Sequence, residues 1–369
     1  MHLSDLMNLD ALHAQLTARH IARILSPDGR HWLYNYTDKA TYAQAWTPET
    51  RQCRGLVTDR DGNVLAVPFP KFANVDEPGF PECAFDVIVA RGANYEVTAK
   101  LDGSLIIMWY DDELGQWRCT TRGNFQSTQA LEAHAWLSAR QTWTAWPTPT
   151  PEARYTFLGE WIAPHNRVVV RYPTAELSLI GVQRIGGTTV SDLDDAELHR
   201  WAQHLDLPRT PRVHATLTDL RAQQQTVVGN EGWVLRWPDG FRVKVKTADY
   251  LRLAKALSGF GPAQVYDTLI ADLAQPGVWA AYRQGLPEEL APDADRYAQG
   301  MREAVATRLQ RMREQFTAFA PLLDLGRRAF ALAVQEQPVA DRPVLFALAD
   351  AKPVVPILWK QLDPHAVSG

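Results

Sequence analysis

Hydrophobic residues recur with two different periods along this chain, and the change falls near residue 250. Before it, short runs of alternating or continuous apolar residues sit between Asp-Gly and Pro-rich turns, as strands do. Trp32–Tyr36 reads as one such strand. Gly55–Asp59 and Val64–Val67 flank Arg60-Asp61-Gly62-Asn63, and Leu105–Tyr110 and Trp117–Thr121 flank Asp111–Gln116, so two hairpins are predicted. A third folds Val234–Trp237 onto Phe241–Lys246 across Pro238-Asp239-Gly240. Tyr155–Trp161, Val168–Arg171 and Leu177–Gln183 complete the predicted strands. Apolar residues at helical spacing mark Leu9–Leu25, with Asp5 as its N-cap, and Gln126–Gln141. The Pro/Thr stretch Thr142–Pro151 reads as a surface connection.

After Tyr250 the chain is rich in Ala, Leu, Gln, Glu and Arg and carries few strand signals. Asp295–Phe319 is predicted to be one long helix, because Tyr297, Met301, Val305, Leu309, Met312 and Phe316 recur at spacings of three and four. The pattern predicts an α+β fold class. Residues 1–250 form antiparallel sheets with flanking helices, and residues 251–369 form an all-helical C-terminal domain. No internal repeat is visible.

The hairpins also place chemistry. A tight turn at 238–240 makes the flanking strands antiparallel neighbours, so Glu231 and Lys246 belong at the same end of the sheet. Lys244 and Lys246 project from one face, because side chains alternate with period two. Folding back at 111–116 likewise brings Arg122 opposite Lys100–Ser104.

Composition narrows the classes without choosing among them. The chain has 46% hydrophobic and 22% charged residues, an ordinary globular balance. No apolar run is long enough for a membrane span and no signal peptide is recognisable at the N-terminus. Cys53, Cys83 and Cys119 lack metal-ligand spacing and are too few for a disulfide framework, which fits reduced thiols in a cytoplasmic protein. A net charge of −4 argues against indiscriminate coating of nucleic acid but leaves room for a local basic cleft. Lysine usage is more telling: there are 30 arginines and only 8 lysines. Four of the eight, Lys71, Lys100, Lys244 and Lys246, fall in the segments singled out below. A nucleophilic amine is a position arginine cannot fill, since a guanidinium stays protonated.

Four such segments occur in order: Lys100-Leu101-Asp102-Gly103-Ser104, Phe157-Leu158-Gly159-Glu160, Glu231-Gly232-Trp233-Val234 and Val243-Lys244-Val245-Lys246. A free lysine amine has a pKa near 10.4, so nucleophilic use of Lys100 needs neighbouring cations or burial to depress it. Lys244, Lys246, Arg54 and a bound metal are the cations at hand. They would also stabilise charge on a phosphate in transfer. Gly103 would let the backbone pass close to a nucleotide, while Asp102 and Ser104 would hold a metal-bound water or the chain itself. Trp161 and Trp233 read as core residues rather than as base-stacking ones.

In order and spacing these segments resemble the covalent lysine nucleotidyltransferases, and within them the phage-type RNA ligase 1 family. Arg54 in Cys53-Arg54-Gly55-Leu56 and Lys71 in Phe69-Pro70-Lys71-Phe72-Ala73-Asn74 match further family elements, although Ala73 stands where a second aromatic is usual. So does Arg122 in Thr121-Arg122-Gly123. Ala163–Val169 resembles the family stretch after its third motif, and Tyr250 matches a tyrosine after the paired lysines. Arg167 and Tyr250 read equally well as structural residues.

The resemblance covers residues 30 to 255 well and the remainder loosely. It implies a nucleotidyltransferase (ATP-grasp-like ligase) fold and use of ATP with Mg²⁺ or Mn²⁺. The implied substrate is RNA with 5′-phosphate and 3′-hydroxyl ends, for instance a nicked tRNA in RNA repair, with no obligate protein partner. Lys100, Lys244, Lys246 and Arg54 would be catalytic. Lys71, Asp102, Gly103, Arg122 and Tyr250 would join them around the nucleotide, with Glu160 on the ribose and Glu231 at the metal. DNA ligases and GTP-using capping enzymes share the lysine chemistry but normally continue into a five-stranded oligonucleotide-binding barrel, where this chain turns helical. A non-catalytic RNA-end-binding protein on the same fold is a further alternative, disfavoured because every reactive position is filled.

Overall fold

A computed structural model describes the whole chain except residues 141, 144–145, 167–168, 259, 288–289 and 367–369. It divides into two compact units, Met1–Leu251 and Arg252–Gly369.

The first unit is built on three antiparallel sheets. Strands β1 (Ile21–Leu25), β2 (His31–Tyr36), β3 (Arg54–Asp59) and β4 (Val64–Ala66) pair in sequence order. After β5 (Glu96–Lys100) come β6 (Ser104–Asp111), β7 (Gln116–Thr121), β8 (Arg154–Ile162), β9 (Glu176–Gly186) and β10 (Thr189–Asp192). These last five form the second sheet, in the order β10-β9-β8-β6-β7. The third sheet is β12-β11-β5, where β11 is Gly232–Arg236 and β12 is Arg242–Lys246. All three predicted hairpins are present.

Burial explains why β6 reads as an unbroken apolar run. Ile106 and Met108 pack with Trp117, Phe157 and Leu177, whereas Leu105, Ile107 and Trp109 pack with Leu33, Val57 and Phe69. Both faces of the strand are covered, so period-two alternation sorts its residues into two cores instead of core and solvent. The third sheet is different. Trp233, Leu235, Val243 and Val245 enter a core beneath it, which leaves Val234, Lys244 and Lys246 on the opposite face.

Three sequence expectations fail here. The helix expected over Leu9–Leu25 stops at Thr17 with Asn8, not Asp5, as N-cap, and Ile21–Leu25 is β1. Arg19 takes a positive φ of 59°, which ends helical progression, and pairing of Ile21–Leu25 with Trp32–Tyr36 overrides the helical spacing. Residues 169–171 are not a strand, because the amides of Val169 and Val170 are drawn to the Asp102 carboxylate. The stretch at 142–151 is not purely a surface connection either, since Trp146 is buried among Trp117, Trp143 and Phe157.

Among the described residues, the second unit is helical throughout. Its spine is the helix Ala291–Phe319, which buries Met301, Val305 and Met312 against Val265, Leu269, Val344 and Trp359. Among the described residues no strand follows β12, so no oligonucleotide-binding barrel is present there. No described helix is long and apolar enough to cross a membrane.

Candidate active site

The third sheet aligns the reactive groups. Lys100, Gly232 and Lys246 lie in register across β5, β11 and β12. Glu231, next to Gly232 and only 3% exposed, is gripped by both lysines: Lys100 Nζ lies 2.7 Å from its Oε2 and Lys246 Nζ 3.0 Å from its Oε1. Gly232 has a φ of +140°, and a Cβ there would collide with the carbonyl oxygen of Val245. Close approach of β12 to the Glu231 end of β11 therefore requires glycine.

These groups open into a cavity of about 620 Å³ that Arg54, Lys71, Arg122, Glu160 and Lys244 also line. That volume lies within the range of small-molecule sites. Glu160 follows a β-bulge between Leu158 and Gly159, a device that re-aims the next side chain, and its Oε1 accepts the Gly103 amide at 3.2 Å. Burial pushes its carboxyl up to about 7, against the pull of the nearby Lys100 ammonium. Burial, with Lys71 and Lys100 close by, pushes the Lys244 ammonium down to about 7. The Arg54 guanidinium is lowered by burial as well, offset in part by Tyr36 and Glu160. Lys71 is braced by Glu77 at 3.1 Å. The site is a pocket of crowded cations in which Glu231 is clasped by two lysines and Glu160 stands near its midpoint at neutral pH.

Two expectations about the nucleophile loop change. Asp102 and Tyr250 do not line the cavity; they bond each other, Tyr250 Oη donating to Asp102 Oδ1 at 2.9 Å. The other oxygen of Asp102 accepts the amides of Val169 and Val170 at 2.6 and 2.7 Å, and the Asp102 amide donates to Tyr172 Oη at 2.9 Å. The motif aspartate thus ties the lysine loop to residues 169–172. Gly103 does line the cavity, yet its lack of a side chain is explained by β8, since a Cβ would strike the Trp161 carbonyl oxygen. Trp161 and Trp233 are buried in the cores. Arg167 lies outside the described residues.

Several lining residues had no sequence signal. Tyr36 carries the Arg122 guanidinium 5.0 Å from its ring centroid. Phe72 sits under Lys244 at 5.3 Å and Arg54 at 5.9 Å, and only its place beside Lys71 could have marked it. Asn166, outside the lining but within the family-like stretch Ala163–Val169, exchanges hydrogen bonds with Ser104 at 3.1 and 3.3 Å. All three cysteines are buried free thiols.

The donor set constrains any metal. Both oxygens of Glu231 already face ammonium groups, and among the described residues no three His, Cys or carboxylate ligands converge in the cavity. That suits a magnesium-like ion, which keeps several waters and takes one or two carboxylates plus substrate phosphates, rather than an all-protein cage. A triad of Asp28, His31 and Asp111 exists elsewhere. Its carboxylates are bonded by Arg30 and Arg118 at 2.9 to 3.0 Å, so it reads as an ion-pair network.

An RNA ligase from Rhodothermus phage RM378 is 25% identical over 165 residues, which are 36% of this chain and 37% of that protein. The chain thus spans little more than a third of that relative's length. An archaeal ATP-dependent RNA ligase is similar in structure with a TM-score of 0.48 and 16% identity, over 79% of this chain and 75% of that one. For a Naegleria gruberi RNA ligase with PPi the TM-score is 0.36 and the identity 19%, over 44% and 52% of the two chains. The RNA ligase family matches residues 52–250, more than half of the sequence and every motif from Lys71 to Tyr250; the chain belongs to the phage-type RNA ligase 1 family.

Proposed function

We propose that this protein is an ATP-dependent RNA ligase that joins 5′-phosphate and 3′-hydroxyl ends. The observation that supports it best is the register of Lys100 and Lys246 about Gly232, which sets both ammonium groups on Glu231, with Lys244 and Glu160 in the same cavity. Lys100 Nζ, freed of its proton, attacks the α-phosphorus of ATP; a phosphoramide bond forms and pyrophosphate leaves. The terminal phosphate oxygen of an RNA 5′ end then displaces the lysine, taking AMP. In the third step an RNA 3′-hydroxyl attacks that 5′-phosphorus, the phosphodiester forms and AMP departs.

Each neighbour has a physical task. Glu231 fixes the Lys100 amine through its 2.7 Å contact, so the nucleophile is aimed before the nucleotide arrives. Lys244, Lys246, Lys71 and Arg54 offer charge to the phosphates. Lys244 loses the cost of its crowding when an anion enters, and its pKa should rise on binding. Glu160, with a pKa near 7, can accept from or donate to a ribose hydroxyl. A divalent ion held by Glu231 and the phosphates would neutralise charge on the α-phosphate and the leaving group. Asp102 acts by position, holding the loop through Tyr250 and residues 169–170. The helical C-terminal unit, residues 251–369, serves to select the RNA, nicked tRNA being the substrate envisaged. The site implies no protein partner.

The test is incubation with ATP labelled at the α-phosphate, followed by 5′-phosphorylated RNA. A label that survives denaturation and is then released as AMP on joining supports the reading. A protein labelled by GTP but not ATP would overturn it in favour of a capping-type enzyme.

A further inference from the structure

The lysine chemistry leaves two buried polar atoms of the cavity lining without a partner, Asn35 Oδ1 and Thr210 Oγ1. The three-stranded sheet has two outer edges, and the cavity is different beside each. Residues 73–75 run along β12: Lys244 N donates to Ala73 O at 3.0 Å and Val75 N to Lys244 O at 2.9 Å. On that side stand Lys71, Lys244 and Lys246. Residues 208–213 run along β5 instead: Ala99 N donates to Pro211 O and Val213 N to Val97 O, both at 2.9 Å. This second segment also bonds β9, through Leu179 N to Pro208 O at 2.8 Å and Thr210 N to Leu179 O at 3.3 Å. It therefore seals the gap between the second and third sheets. The cavity wall there offers the apolar side chains of Ile180, Leu193, Leu198 and Val234, and the charged groups that also line it, Glu96, Asp195, Arg236 and Arg242, are held in ion pairs.

Thr210 belongs to this seal. It is 7% exposed, lines the cavity, and its Oγ1 has no hydrogen-bond partner. Buried hydroxyls are almost always bonded, and one left without a partner is costly. The segment is also held firmly. Arg209 and Arg212, flanking Thr210, clasp the two oxygens of Asp195 at 2.6 and 3.1 Å. A buried, pinned and unpartnered hydroxyl facing a ligand-sized space is what a binding contact looks like before its ligand arrives.

We propose that Thr210 reads the nucleobase of the bound ATP, its hydroxyl bonding the polar edge of the purine while the apolar wall takes the ring faces. The proposal rests on the ligase reading above. The triphosphate must lie where the cations are, by β12, with its α-phosphorus within reach of Lys100. The base is then directed toward the β5 side, whose apolar wall suits a flat ring. A threonine hydroxyl both donates and accepts, so it can meet either a ring nitrogen or the 6-amino group.

The experiment follows lysyl-AMP formation against nucleotide concentration in wild type, Thr210→Val and Thr210→Ser. Substrates are ATP, purine riboside triphosphate (no 6-amino group) and 1-deaza-ATP (no ring N1). Thr210→Val keeps the shape and loses the hydroxyl. It should raise the half-saturating ATP concentration roughly three- to tenfold, the worth of one neutral hydrogen bond, with the saturating rate unchanged. Thr210→Ser should stay close to wild type. One of the two analogues should lose a similar factor on wild type and nothing further on Thr210→Val. Should Thr210→Val fail to fold, Thr210→Cys, a weaker donor of similar size, takes its place. Unchanged half-saturation in the variant would mean the hydroxyl serves only a water, and a loss confined to the saturating rate would place Thr210 at the phosphates; either overturns the proposal. A wild-type protein that forms no adduct with ATP would instead refute the ligase reading, and this assignment with it.

Discussion

The two units of the chain use positive charge in opposite ways. In the first, Lys100 and Lys246 share one buried carboxylate, and Lys244 stands among ammonium groups with its own pushed down to about 7. In the second, the charges are arginines, many of them ion-paired: Arg308 and Arg311 share Asp341 at 2.9 and 3.2 Å, and Arg283 meets Asp295 at 2.7 Å. Seven arginines face three acids between Arg296 and Arg328, and among the described residues the exposed Arg313 and Arg328 have no carboxylate partner. Crowded, under-compensated lysines disfavour the empty state and favour an anion in the cavity. Paired arginines on a helix surface contribute little to stability, and the unpaired ones are free to meet phosphates. The contrast is consistent with the proposed division, chemistry in the first unit and substrate selection in the second.

The largest predicted effect is at the nucleophile. Lys100→Ala and Lys100→Arg should both reduce the protein–AMP adduct to background while leaving the fold intact, since neither side chain supplies a neutral amine. An adduct retained by Lys100→Arg would move the chemistry elsewhere. Next, Glu231→Ala should slow adenylylation by roughly 10²–10³-fold, as loss of a preorganised electrostatic contact does. Here it also leaves two lysines facing each other with no carboxylate between them. Glu231→Gln should keep ATP binding and lose metal-dependent rate, so a wild-type rate for Glu231→Ala across a magnesium titration contradicts the assigned role.

A subtler effect concerns pH. Glu160 has a folded pKa above its ordinary value, so its contribution to stability is full below about pH 4.5 and is lost as pH rises through about 7. Lys244 has a folded pKa below its ordinary value, so its contribution is full above about pH 10.5 and is lost as pH falls through about 7. Together they put a minimum near neutrality into the stability of the nucleotide-free protein. Denaturant titrations at several pH values should show the acid-side slope reduced in Glu160→Gln and the alkaline-side slope reduced in Lys244→Met. Unchanged slopes in both variants would mean that neither group is shifted.

The smallest effect tests the division itself. A protein ending near Leu257 should still form lysyl-AMP but lose its preference for a nicked anticodon stem-loop over a plain single strand. A soluble truncation that keeps the full-length ratio of rates on those two RNAs contradicts the role given to the helical unit. One that folds yet cannot accept AMP would show that residues beyond 257 support the active site.

How far the site was legible depended on the kind of order involved. The hairpin at 238–240 fixes Glu231 against Lys246 by local rules of turn and alternation, and the structure holds them 3.0 Å apart. What placed Lys100 beside them was the pairing of β5 with β11, a contact between residues more than a hundred positions apart that no local pattern encodes. For Asp102 the sequence left two roles open, holding a metal-bound water or the chain itself; the partners that show it holding the chain, Tyr250 and the amides of 169–170, come from distant segments. Ile21–Leu25 was misread because its helical spacing competes with a strand partner visible only once β2 is in place. Thr210 carried no signal at all. A threonine between arginines becomes notable only when its hydroxyl is seen buried and unpartnered.

The most direct test of the account is to map the adduct on the unaltered protein. Incubated with ATP and Mg²⁺ in the absence of RNA, then denatured, digested and analysed by mass spectrometry, the peptide containing Lys100 should carry one AMP. Subsequent addition of 5′-phosphorylated RNA before denaturation should remove it. AMP found on Lys71, Lys244 or Lys246, or on no peptide while RNA joining proceeds, would contradict the claim that Lys100 carries the nucleotide.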